Sequence, residues 1–150
     1  MKDNSQPFAL LLTGCCVAII AALLVVGAVS SGVIRHVVQT SPLWIAIVLG
    51  VRRSGWSKWA ALPCLVFWLL LMTAIWLFLL GWARIVSGTF SPTEVAMTVI
   101  VGLSSVVGIV TALWMTSNIR AWSATATVLL LAVLQLAAFR LSLLPGIAHR

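Results

Sequence analysis

The chain has 150 residues, of which 63% are hydrophobic and 7% charged, and its mean hydropathy is +1.21. Asp3 and Glu94 are its only acidic residues. A soluble domain of this size needs a solvated surface with about a quarter of its residues charged, so the composition excludes that class and predicts an all-α, polytopic helical membrane bundle. The net charge of +7 would suggest nucleic acid in a soluble protein. Here the basic residues are scattered along the chain without a basic stripe, and they read as anchors for an anionic bilayer surface. Lipid is the expected partner, and nucleic acid is not.

A membrane-crossing helix needs about 20 consecutive apolar residues. The first such run covers about 8–29, with Pro7 suited to the first helical turn. The strongest run, about 62–86, contains LVFWLLLMTAIWLFLLGW. Trp59 and Trp82 flank it 23 residues apart. That spacing is about 35 Å of helix, so the pair reads as two interfacial belts. Further runs cover about 95–115 and 124–144. These four spans are clear.

Residues 33–51 are ambiguous. Their second half is apolar, but the first half holds Arg35, His36, Gln39, Thr40 and Ser41, followed by Pro42. The stretch is a full span with a proline kink, an extension of the first helix followed by a half-length helix, or a re-entrant segment. Proline removes a backbone donor and disfavours helix at the residue before it. Ser41-Pro42 also suits an N-cap followed by a first-turn proline. The expectation is therefore a short fifth segment, broken at Pro42, with a fresh helix from Leu43. Basic residues do not decide the span number. If 33–51 crosses, Lys2, Arg52, Arg53, Lys58 and Arg120 lie on the cytoplasmic side against Arg35, Arg84, Arg140 and Arg150. If it does not, Lys2 and Arg35 exchange sides and the tally stays five to four.

Few residues depart from plain lipid solubility. Arg35, His36, Gln39 and Ser41 form the polar cluster. Arg35 and Gln39 are four apart and share a helix face, and arginine beside a new helix N-terminus is an anion-friendly arrangement. The competing reading is an interfacial collar touching lipid phosphate or a partner subunit. Arg52, Arg53, Trp56, Lys58 and Trp59 mix bases with tryptophans and suit a headgroup layer. Gly14, Ala18 and Ala22, and likewise Ser104, Gly108 and Ala112, are spaced at four and would let helices approach closely. Gln135 lies near the middle of the last span and should seek a hydrogen-bond partner there. Ser91-Pro92-Thr93-Glu94 is a capping box, which accounts for Glu94 without any transport role. Trp68, Met72 and Trp76 form a bulky ridge on the 62–86 helix, read as packing or lipid-facing surface.

There is no pair of carboxylates for acid–base work, no Ser-His-Asp set and no phosphate-binding glycine loop. The expected function is non-enzymatic, without a cofactor: an accessory subunit, assembly factor or scaffold of a membrane complex. Its partners would be other membrane subunits or further copies of itself. The alternative is a small oligomeric transporter or channel with an anion-favouring site at Arg35, His36 and Gln39. A multi-pass location in a bacterial-type cytoplasmic membrane is assumed.

Overall fold

A computed structural model describes residues 5–83 and 88–148. Lys2, Arg84 and Arg150 of the charge tally lie outside the described residues, as does the 84–86 end of the third run. The described chain forms α1 (Ser5–Val29), α2 (Val33–Val51), α3 (Ser57–Leu79), α4 (Pro92–Trp114), α5 (Ala121–Ser142) and the single turn α6 (Pro145–Ala148). Five of these helices, α1 to α5, are long and apolar enough to span a membrane.

The break expected at Pro42 is not there: α2 is one continuous helix with Pro42 inside it. Proline costs a helix one hydrogen bond, to the carbonyl four residues earlier, which here belongs to Val38. The Ser41 hydroxyl takes that place, donating to the Val38 carbonyl at 2.8 Å. Thr40 adds bonds to the carbonyls of His36 and Val37 at 3.0 and 3.2 Å. The serine and threonine that resemble a helix start in sequence instead bond backward and repair the helix interior.

The strongest apolar run also ends sooner than its composition implies. Gly81 has φ 76°, a left-handed conformation that glycine adopts without Cβ strain. Its N–H donates to the Phe78 carbonyl and that of Trp82 to the Leu77 carbonyl, both at 2.9 Å. This paired closure is a Schellman motif, and it stops α3 although the apolar residues continue.

Consecutive helices run in opposite directions. α1 packs on α2 and α4, α4 on α3, α3 on α5, and α5 on α2, which closes a ring. α3 also crosses the interior to touch α1 and α2, and so contacts all four of the other long helices. One end of the bundle gathers the C-termini of α1, α3 and α5 with the N-termini of α2 and α4. We call it the Arg35 end, and the opposite one the Lys58 end. The core runs through Leu12, Cys16 and Ile19 of α1, Leu43 and Ala46 of α2, Ala61, Cys64, Leu65 and Trp68 of α3, and Val101 and Ala112 of α4.

Missing side chains set the tightest contacts. A Cβ on Gly50 of α2 would run into the Thr13 hydroxyl of α1. A Cβ on Gly108 of α4 would lie 2.9 Å from Leu65 Cδ1 and 3.3 Å from Cys15 Cβ. Hydroxyls in these interfaces stay satisfied within their own helices: Thr13 donates to the Ala9 carbonyl at 2.8 Å, Ser105 to Val101 at 2.8 Å and Thr111 to Val107 at 2.7 Å. The outer surface is apolar, with Leu70, Leu103, Leu113 and Val133 all exposed. An exterior of this kind is compatible with hydrocarbon around it.

Gly50→Ala should overpack the α1–α2 contact and cost about 1–3 kcal/mol, read as a lower thermal unfolding midpoint in detergent. Thr13→Ala removes the clashing oxygen, so the double variant should recover most of the loss.

Candidate functional site

At the Arg35 end the ring holds a cavity of about 710 Å³, to which all five long helices contribute. Arg35, His36 and Gln39 of α2 form its polar wall. Trp68, Leu71, Met72 and Ile75 of α3, Met97, Thr98 and Val101 of α4, Leu23 and Val26 of α1, and Phe139 and Leu143 complete it. Ser30 and the segment Gly88, Thr89 and Phe90 lie at its mouth.

Each polar group is held differently. His36 sits opposite Gly27, where an added Cβ would come within 3.0 Å of the imidazole Nδ1. That nitrogen lies 2.9 Å from the Gly32 carbonyl. A carbonyl only accepts, so Nδ1 carries the hydrogen and Nε2 is left for other contacts. Gln39 is almost fully buried. Its amide nitrogen donates to the Ser142 hydroxyl at 2.9 Å, and Ser142 donates in turn to the Phe139 carbonyl at 2.6 Å. Gln135 of α5 donates to the Gln39 backbone carbonyl at 3.0 Å. These bonds form a polar clasp between α2 and α5 inside an otherwise apolar interface.

Arg35 differs from its neighbours. Its Nε is shielded from solvent and has no hydrogen-bond partner. The Trp68 indole N–H, on a side chain only 1% exposed, also lacks an acceptor. Glu94 supplies the other charge in the lining. Its Oε2 accepts from the Ser91 N–H at 2.7 Å, while the Ser91 hydroxyl accepts from the Glu94 N–H at 3.3 Å. The capping box therefore forms as its spacing predicts, and it also sets a carboxylate into the cavity wall.

The remaining candidate residues lie apart from this cluster. Ser41 is exposed, away from the cavity, and is committed to the Val38 carbonyl. Arg52, Arg53 and Trp56 are exposed at the Lys58 end. Lys58 is buried instead: its ammonium donates to the Met115 carbonyl at 2.6 Å, at the C-terminus of α4, and lies 4.5 Å from the Trp59 ring centroid. A cation on a helix's last carbonyls suits the helix dipole. The half-buried Trp59 donates from its indole to Ser117 at 3.2 Å. Among the small residues, Ala22, Gly108 and Ala112 are buried and Ala18 and Ser104 half-buried, but Gly14 is exposed with open space where its Cβ would be. The stripe that packs on α1 is rotated from the one expected and runs through Cys15, Ile19 and Ala22.

The sequence reading did not bring Glu94, Trp68, Met72 or Thr98 into one cavity lining with Arg35. Span parity carries the missing signal. With α2 a full-length helix, the starts of α2 and α4 fall at one end, which sets Arg35 and Glu94 around one space. No known protein family, characterised protein or solved structure matches this chain.

Gln39→Leu should cost about 1 kcal/mol of stability, the usual scale of a hydrogen bond between helices in lipid. A double-mutant cycle with Ser142→Ala, read by thermal unfolding, should give a total smaller than the sum of the single losses, because both changes break the same bond.

Proposed function

We propose that this chain is a non-enzymatic, multi-pass membrane protein, of a bacterial-type cytoplasmic membrane, that acts as a binding subunit of a membrane complex with the cavity as its working site. The observation that supports this reading is the division of the bundle into an open half and a filled half. At the Arg35 end the helices part around the cavity. Toward the Lys58 end the interior is occupied by Leu12, Cys16, Leu43, Ala61, Cys64, Leu65 and Ala112, all buried. An entrance with a floor suits binding, whereas a channel needs a second exit. Two polar groups of the walls are committed to the fold, which suits positioning more than proton transfer: Glu94 serves its cap and Gln39 its clasp. Arg52, Arg53 and Trp56, exposed at the opposite end, fit a lipid headgroup layer.

A second reading is a small oligomeric transporter that favours anions. The presence of Arg35 in the cavity lining, with its Nε unpartnered, supports it, since a cation in a cavity wall can attract an anion. Gly14, exposed with room beside it, offers a surface on which a second copy could pack closely.

Extraction into native nanodiscs followed by native mass spectrometry separates the two. The binding-subunit reading expects a stoichiometric foreign membrane subunit with the chain. A clean homo-oligomer, together with anion flux in proteoliposomes that Arg35→Ala abolishes, would overturn it in favour of the transporter.

A further inference from the structure

We propose that the Lys58 end is a binding surface selective for anionic membrane phospholipid, on which the guanidinium groups of Arg52 and Arg120 each meet lipid phosphate and Trp56, Trp114 and Trp122 lie at one level in the interfacial layer. This deepens the headgroup reading of that end. It rests on the bundle lying in a membrane and is independent of the cavity.

The surface is made by two loops, 52–56 and 115–120, that the fold joins to each other. The Lys58 ammonium donates to the Met115 carbonyl at 2.6 Å, and the Trp59 indole donates to the Ser117 hydroxyl at 3.2 Å. Ser117 in turn donates to the Gly55 carbonyl at 3.4 Å. A Cβ on Gly55 would lie 3.7 Å from Ile119 Cδ1, so the loops also meet through apolar atoms. Lys58 and Trp59, which by composition suit a headgroup layer, are thus committed to the joint. Arg52 and Arg120, one on each loop, are exposed. The joint holds them on a common platform although 68 residues separate them in the chain.

Their charge has no acid to answer it among the described residues. Glu94, the one carboxylate among those residues, lies at the Arg35 end. Lys2 and Asp3, which precede α1 in the sequence, carry opposite charges. Neither Arg52 nor Arg120 makes a side-chain hydrogen bond or ion pair with another described residue. A guanidinium presents a planar fork of N–H donors that matches two phosphate oxygens, so arginine suits phosphate better than a point charge does. Phosphatidylcholine also carries a phosphate, but its own ammonium cancels the charge. A phospholipid with net negative charge keeps the full attraction to each basic residue.

The tryptophans point to lipid rather than to a docked subunit. Trp56 immediately precedes α3, Trp114 is the last residue of α4, and Trp122 lies in the first turn of α5. All three are therefore at the Lys58 end, and Trp114 and Trp122 are 72% and 82% exposed. Spread over the ends of three helices, they form a belt at one depth, the arrangement that indole rings take at a headgroup boundary. A single protein partner would favour one compact patch.

The test places the full-length protein in nanodiscs of equimolar phosphatidylglycerol and phosphatidylcholine and counts the lipids it retains on release by native mass spectrometry. Phosphatidylglycerol should be retained over phosphatidylcholine by about fivefold, the scale of one basic residue beside an anionic leaflet. The double variant Arg52→Gln/Arg120→Gln should bring the ratio near parity. Arg140→Gln, exposed at the other end, should leave it unchanged. Thermal unfolding in neutral lipid should show these variants as stable as the wild type, which separates lost selectivity from lost fold. Incubating the wild-type nanodiscs at about 1 M salt, where charges are screened within about 3 Å, should lower the ratio without any substitution. Parity in the wild type, a ratio indifferent to Arg52→Gln/Arg120→Gln, or an equal loss with Arg140→Gln would overturn the proposal and leave the membrane reading in place. A foreign subunit released by the double variant, with the lipid ratio at parity throughout, would assign the surface to a protein partner and also overturn it. A chain that does not enter nanodiscs at all would overturn the membrane reading itself.

Discussion

Pro42 has no amide hydrogen to give, and the arrangement of the whole bundle depends on α2 continuing past it. The Val38 carbonyl, which would otherwise face a gap in the helix, is taken by the Ser41 hydroxyl. Inside hydrocarbon an unsatisfied backbone carbonyl would cost several kcal/mol, so this local repair decides between a broken half-helix and a helix long enough to span. A full-length α2 makes the number of long helices among the described residues odd. That parity brings the N-termini of α2 and α4 to one end, and with them Arg35, His36 and Glu94. Had α2 broken at Pro42, the polar cluster and the capping carboxylate would not have shared a cavity.

Side-chain size then shapes the cavity. The Lys58 half is built from small residues at the helix contacts: Ala46 and Gly50 on α2, Ala60 and Ala61 on α3, and Gly108 and Ala112 on α4 are all buried. Without a hydrophobic effect to hold helices together in lipid, close approach and dispersion supply the attraction, and those positions allow it. In the Arg35 half, Trp68, Leu71, Met72, Ile75 and Phe139 occupy the inward faces. Phe67 of α3 meets Phe139 of α5 edge to face, with ring centroids 5.3 Å apart. Bulky residues at one end and small ones at the other give a bundle that tapers, closed where the backbones touch and open where they are held apart. The clasp of Gln39, Ser142 and Gln135 ties α2 to α5 in the open half, where packing alone is looser.

The long apolar runs were legible in the sequence because a crossing helix requires them, and the composition excludes a soluble surface. The Glu94 cap was legible because its spacing fixes its geometry. Helix rotation was not. A soluble amphipathic helix shows its inner face by contrast with a polar outer one, whereas α1 is apolar all round, so Gly14 and Cys15 could not be ranked as outer and inner. The fate of Lys58 was hidden for a related reason. A basic residue beside tryptophans suits headgroups, and only the arrival of Met115 from α4, 57 residues later in the chain, supplies the carbonyl that buries it. Pro42 misled because Ser-Pro is a helix start in water-soluble proteins, while the same serine can bond backward when the helix continues. The cavity depends on α2 and α4 meeting at one end, a consequence of parity that the even balance of basic residues left open.

The number of crossings is therefore the quantity on which the account rests, and side-specific labelling measures it. Cys15, Cys16 and Cys64 are buried and free, and alanine in their place clears the background. Single cysteines would then be introduced at Ser30, Gly55 and Thr89, all exposed in the turns between helices, and probed with a membrane-impermeant maleimide in sealed vesicles of both orientations. The account predicts that Ser30→Cys and Thr89→Cys label from the same side and Gly55→Cys only from the other. Labelling of Ser30→Cys and Gly55→Cys from one common side would mean that α2 does not cross, and would contradict the shared end on which the cavity is built.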